Sequence, residues 1–185
     1  GDFLYSEAEF EIMRRDIEYA KSTGVNGVVI GILKADGNID IDRTRILTEL
    51  AHPLSVTFHR AFDMALDPHR ALDELIELGL DTLLTSGQQS SAAKGLSLIA
   101  ELVEQAAGRI TIMPGSGINP NNIKKIVEQS GTDTFHFSGK AAFDSKMMYR
   151  NPDLSMGGQE SVSEYQLNYA DGAIIRAIIA NAGTK

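Results

Sequence analysis

A parallel α/β sheet of the TIM-like (β/α)-barrel kind is what this chain predicts, and three observations predict it. Apolar segments begin near Val28, Leu54, Thr82, Ile110 and Thr134, so they recur every 24–28 residues, the length of one strand plus one crossover helix. Between them, apolar residues fall at helical spacing and are bounded by capping residues and glycines. Polar residues crowd the ends of the segments and avoid their beginnings, and in a parallel sheet all strand ends share one face. The even repetition favours a closed barrel over an open doubly wound sheet. A (β/α) barrel needs about eight strands. The expectation is therefore a single domain over residues 1–185 that holds the C-terminal five βα units, with the first three units lying upstream of Gly1.

The elements follow in order. Ser6-Glu-Ala-Glu9 has the form of a capping box, and Phe10, Met13, Ile17 and Ala20 form the apolar stripe of the helix after it, closed by Gly24. Val28 to Leu33 is a nearly continuous apolar run, as in a strand covered on both faces, and Lys34–Asn38 is turn chemistry. Asp40 or Asp42 caps a helix that Pro53 stops. Leu54, Val56 and Phe58 then alternate with Ser55, Thr57 and His59, a period of two that puts the sets on opposite faces of a strand. Asp67 caps the next helix with Pro68 at its first position, and Gly79 ends it. Thr82–Thr85 is a short strand, and Ser90 or Ser91 caps the helix carrying Leu96, Ile99, Leu102 and Val103. Ile110–Met113 is a strand, Asn119 and Pro120 open a helix with Ile123, Ile126 and Val127 inward, and Thr134–Phe137 is the last strand of the series. Phe143 to Tyr169, with Met147-Met148, Asn151-Pro152 and Gly157-Gly158, reads as a long irregular loop. Asp171 caps a final helix that buries Ile174, Ile175, Ile178 and Ile179.

Composition excludes several classes of function. The net charge is -8, with no basic run, so nucleic acid is not an expected partner. No apolar stretch reaches the roughly 18–20 residues that span a bilayer, so no membrane is expected either. There is no Cys, which removes disulfides, thiolate nucleophiles and cysteine metal sites from these residues.

The candidate site is made of strand ends. His59, Arg60 and Asp63 follow one strand. His59 is an acid/base candidate, Arg60 a clamp for carboxylate or phosphate, and Asp63 an orienting group; the alternative is a buried histidine beside a structural Arg60–Asp63 ion pair. Gly115-Ser116-Gly117, entering a helix, offers backbone N–H groups to an anion. Ser86 and the exit Ser138-Gly139-Lys140 could complete that pocket, and the alternative is that the glycines only permit tight turns. His136 ends the last strand as His59 ends an earlier one, each after a Phe. The two form either an acid/base pair, a pair of nitrogen ligands for copper or zinc, or satisfied core histidines. Met113 and Met156 could add thioether ligands for Cu(I), though core packing suits Met113 better. His52 and His69 lie away from the strand exits and are assigned no role.

Several strings together resemble one family. Gly1–Ser6, Asp36–Asp40, Val56-Thr-Phe-His-Arg-Ala-Phe-Asp63, Leu84–Gly87, Ile112–Ile118 and Glu128-x-x-Gly131 leading to Phe135-His136 are similar to the CutC family of copper homeostasis proteins. The resemblance implies a TIM-like barrel, a homo-oligomer (dimer or tetramer), a cytoplasmic and in animals also nuclear location, and intracellular copper handling through bound Cu(I). Two strings depart from the family pattern. Gly115-Ser116-Gly117 stands where the family commonly has three glycines, and Ser116 is tolerable there only if its φ is not positive. Phe137-Ser138-Gly139-Lys140 stands where many relatives have Cys or Gly, then Ser-Ala-Arg, so no thiolate copper site forms within these residues. The two resulting expectations are a Cu(I)-binding homeostasis protein and a barrel enzyme acting on a phosphorylated small molecule.

Overall fold

The computed structural model describes residues 1–151, 153 and 164–183. They form two compact units, Gly1–Ile118 with Lys125–Phe137, and Asn119–Lys124 with Ser138–Lys185.

The first unit is a four-stranded parallel sheet in the order β1 (Gly27–Ile30), β2 (Ser55–Phe58), β3 (Thr82–Thr85), β4 (Thr111–Pro114). Each strand is followed by a helix before the next, which gives the expected TIM-like α/β arrangement of parallel strands. Helix α1 (Glu7–Ser22) opens on the capping box: Glu9 N donates to Ser6 Oγ, and Glu9 Oε2 accepts from Ser6 N at 2.7 Å. Helix α2 (Ile41–Ala51) takes Asp40 as N-cap, and α3 (Pro68–Glu77) takes Asp67 with Pro68 at its start. The alternation along each strand decides the core. Val56, Phe58, Leu83 and Ile112 are buried under the helices together with Leu72, Leu75, Ile99 and Leu102. Thr57, Leu84 and Met113, on the other face, are half-buried, and Val29 on β1 is 62% exposed.

Helix α4 (Leu96–Ala106) differs from expectation at its start. Its N-cap is Gly95, without a side-chain cap bond, because residues 86–95 are drawn into a loop that packs on the turn after β4. The fifth parallel strand also differs. Thr134–Phe137 makes one bridge, Gly115 with His136, through His136 N donating to Pro114 O at 2.9 Å. One position earlier the ladder is replaced by a side chain: Thr132 Oγ1 donates to Ile112 O at 2.7 Å. With that carbonyl satisfied by a hydroxyl, the segment gains less from backbone pairing. Helix α5 (Ile123–Ser130) starts after Asn119 and Pro120, which stand in a turn in which Asn122 Oδ1 accepts from Asn119 N at 2.9 Å.

The second unit contains an antiparallel pair, β5 (Lys140–Asp144) with β6 (Gln166–Ala170), where an irregular loop is expected over residues 143–169. Pro152, Met156 and Gly157-Gly158 lie outside the described residues. Helix α6 (Gly172–Ala182) is capped by Asp171, which accepts from the N–H groups of Ala173 and Ile174. Of its four expected core residues only Ile178 is fully buried, and Ile179 is 46% exposed.

Candidate functional site at the exits of β2 and β3

The chain leaves β2 at His59 and winds directly into a five-residue 3-10 helix, Arg60–Met64. That short helix turns Arg60 and Asp63 toward β3, where they meet Thr85 and Ser86, both fully buried. Arg60 Nε donates to Asp63 Oδ2 at 2.6 Å, and Arg60 Nη2 donates to Ser86 Oγ at 2.8 Å. Asp63 has a side chain only 7% exposed, and a carboxylate so placed requires full hydrogen-bonding. It receives it. Oδ1 accepts from Thr85 Oγ1 (2.6 Å), Ser86 N (3.0 Å) and Gln88 N (3.2 Å). The Ser86 hydroxyl proton has two acceptors in range, Asp63 Oδ2 at 2.8 Å and Gln89 O at 2.6 Å.

The loop after β3 is thus an anion receptor, and its anion is the chain's own carboxylate. Ser86, expected to face a ligand anion, instead has its backbone and hydroxyl donors turned to Asp63 and Gln89. Arg60 is different. Its side chain is 40% exposed, and beyond the bonds to Asp63 and Ser86 its guanidinium N–H groups have no partner among the described residues. A guanidinium has five donors in a rigid fork, so a fixed, outward-facing part of that fork is available to a planar or tetrahedral oxyanion.

His59 lies on the other side of the β2 exit. Its backbone N–H donates to Ile30 O at 2.8 Å, which brings the exits of β1 and β2 side by side. A Cβ added to Gly31 would overlap the imidazole, so only glycine leaves room for the ring. Phe3 packs on the ring at 5.0 Å between centroids, tilted by 52°. Phe3 is itself anchored by Leu33 N donating to its carbonyl at 2.9 Å, and its φ is 61°, a left-handed conformation that costs a non-glycine residue about 1–3 kcal/mol. Nδ1 of His59 accepts from Ala61 N at 3.1 Å, capping the short helix. Burial pushes the pKa of His59 below the usual histidine value, opposed only in part by a backbone hydrogen bond. The ring is therefore neutral at pH 7, with Nδ1 as the acceptor and the proton on Nε2.

The turn after β4 is built differently. Gly115 N donates to Thr85 O at 2.9 Å. Ser116 and Gly117 follow with φ of 80° and 71°. A serine was expected there only at non-positive φ. The structure places it in the left-handed region and compensates with Ser116 Oγ donating to Ser90 O at 3.2 Å and Ala92 N donating to Ser116 O at 3.0 Å. His136 is exposed beside Gly115. It stands three strand positions from His59, about 14 Å at ordinary strand spacing, and the two rings are not in contact. Ser138, Gly139 and Lys140 belong to the second unit, where Gly139 O accepts from Asp171 N at 2.8 Å and Lys140 begins β5. Gly31, against His59, and Thr85, which donates to Asp63, belong to the strand-exit pattern that marks the site, whereas Phe3, which packs on His59, and Gln88, which donates to Asp63, are not among the expected site residues. Gly31 carries a signal, a glycine at a strand exit, whereas Phe3 carries none in its local sequence.

A parallel βα sheet whose polar side chains gather at the strand exits defines a TIM-like α/β protein, with that face as its candidate site. Residues 1–141 match the CutC family, and the chain belongs to that family. It is 52% identical over 179 residues to a family protein CutC of Parabacteroides distasonis, covering 97% of this chain and 74% of that protein. It is 48% identical over 182 residues to the human protein named copper homeostasis protein cutC homolog, covering 98% of this chain and 67% of the human one. A crystal structure of a CutC protein from Streptococcus agalactiae superposes with a TM-score of 0.70 at 31% identity, covering 74% of this chain and 67% of that one.

Proposed function

We propose that this chain acts in copper homeostasis, the role in the names of its human and mouse relatives, and that its working site recognises a small oxyanion at Arg60. One observation carries the site: a guanidinium locked by Asp63 and Ser86 on one side, with its other donors open at the strand exits. Carboxylate and phosphate are the groups that match such a fork.

Cu(I) binding is the finer expectation of the family resemblance, and the pair His59 and His136 does not fit it. Cu(I) favours thiolate and thioether donors, and the chain has no Cys. No group of three or more His, Cys, Asp and Glu that could hold a metal forms among the described residues. His59 already uses Nδ1 as an acceptor and carries its proton on Nε2, so ligation at Nε2 would cost the bond to Ala61. Met156 lies outside the described residues. Copper accordingly enters this reading through the role and not through a ligand set built from His59 and His136.

Two titrations test the reading. Inorganic phosphate followed by calorimetry should bind the wild-type chain and bind Arg60→Gln at least tenfold more weakly. Equal binding to both would remove Arg60 from the site. Cu(I) titrated against a competing chelator under reducing conditions should show the same affinity for wild type, His59→Ala and His136→Ala. A loss in both variants would restore the histidine copper site and overturn this assignment. The proposal includes a homo-oligomer in solution, checked by light scattering.

A further inference from the structure

The two open donors of the site do not sit together. The imidazole of His59 lies over the exit of β1, against Gly31, while the guanidinium of Arg60 lies over the exit of β3, on Ser86. They flank the β2 exit, and neighbouring strands are about 4.8 Å apart, so the two groups stand roughly 10 Å from each other. A single phosphate or acetate ion cannot reach both.

The His59 end also has a fixed chemistry. Gly31 leaves no latitude on one side of the ring, Phe3 covers it, and Ala61 N–H occupies Nδ1. What remains is one N–H donor, Nε2, on an uncharged ring. An uncharged donor in a half-buried position pairs best with a neutral acceptor, such as a hydroxyl or carbonyl oxygen, because an anion there would meet no countercharge. The backbone strain at Phe3 is consistent with a residue held in place to cover the ring.

Building on the anion reading of Arg60, we infer that the ligand is an elongated oxyanion several bonds long. Its phosphate or carboxylate sits on Arg60, and an uncharged hydroxyl or carbonyl oxygen at its far end accepts from Nε2 of His59. Phe3 and Gly31 act as positioning residues for that contact. The chemical class is a hydroxylated or carbonyl-bearing chain or ring with a terminal anionic group, a molecule of sugar-phosphate size.

The test uses a matched pair of probes, pentyl phosphate and 5-hydroxypentyl phosphate, titrated calorimetrically into the wild-type chain. The hydroxylated probe should bind about tenfold more tightly, the factor that about 1.4 kcal/mol represents and within the range of one hydrogen bond. His59→Phe, which keeps the ring packing against Phe3, should abolish the preference, bringing the ratio of the two affinities to about one whatever the loss of the cap to Ala61 does to both probes. Arg60→Gln should weaken both probes alike. Equal binding of the two probes to wild type, or a preference that survives His59→Phe, overturns the inference while the anion site at Arg60 stands. Failure of inorganic phosphate and both probes to bind wild type removes the anion reading and this inference with it. Independently of any variant, nitrogen NMR of the wild-type chain should show His59 with its proton on Nε2. A proton on Nδ1 would also overturn the inference.

Discussion

The exits of β2 and β4 occupy equivalent places in neighbouring parts of one sheet, yet they are organised by different physics. At the β2 exit a buried carboxylate, Asp63, gathers donors from two loops and holds them by charge-assisted hydrogen bonds. At the β4 exit the backbone does the work: Ser116 and Gly117 are turned into the left-handed region, and Ser116 offsets part of its strain through hydrogen bonds with Ser90 O and Ala92 N. The first region gains stability from its functional-looking residues, and the second gives stability up. Polar residues at strand exits are therefore not equivalent evidence for a site, because some are consumed in building the platform that presents the others.

Substitutions sharpen this contrast. The largest effect is expected at Asp63. Asp63→Ala leaves Arg60 without its partner and strands buried donors of Thr85 and Ser86, so it should destabilise the chain by about 3–5 kcal/mol in denaturant unfolding. Gly31→Ala comes next, at about 1–3 kcal/mol, because the added methyl must displace the His59 ring. At the β4 exit the sign reverses. Ser116→Gly should stabilise by about 1 kcal/mol as the strain is released and the Ser90 contact is lost, while Ser116→Ala keeps the strain, loses the contact and should destabilise. A destabilising Ser116→Gly would show that the hydroxyl contact outweighs the strain and would erase the contrast.

The smallest effect is a pH dependence. His59 has a folded pKa below its unfolded value of about 6.5, so its contribution to stability is complete above that value. As pH falls through it the unfolded chain takes the proton first, and stability drops until the folded pKa is passed. Unfolding midpoints across pH 5–8 should show this fall in wild type and a smaller one in His59→Phe.

Much of this arrangement is legible in the residues. The period-two segment ending in His59, the Asp67-Pro68 start of α3 and the Ser6–Glu9 box are local patterns, and each appears where local physics puts it. The gathering of Arg60, Asp63 and Ser86 follows from one topological rule, that parallel strands share an exit face. Three features depend on distant partners and leave no local pattern. Phe3 reaches a ring far along the chain, and Ser86 is taken up by Asp63 only because the 3-10 helix bends it across. The third is the pairing of Lys140–Asp144 with Gln166–Ala170, two short segments far apart in sequence that meet as an antiparallel pair. The fifth strand near Thr134 fails for a subtler reason: its apolar alternation is real, but the Thr132 hydroxyl takes a carbonyl that a ladder would have used.

Amide hydrogen exchange at Ser86 and Gln88 tests most directly whether Asp63 fills the loop's own anion receptor. Both N–H groups point at its carboxylate, at 3.0 and 3.2 Å. In the wild-type chain they should be protected to the level of the neighbouring β3 amides, and in Asp63→Asn both should exchange much faster while β1 is unaffected. Rapid exchange of both amides in the wild-type chain would contradict the account, since the loop would then be open to an anion from solution.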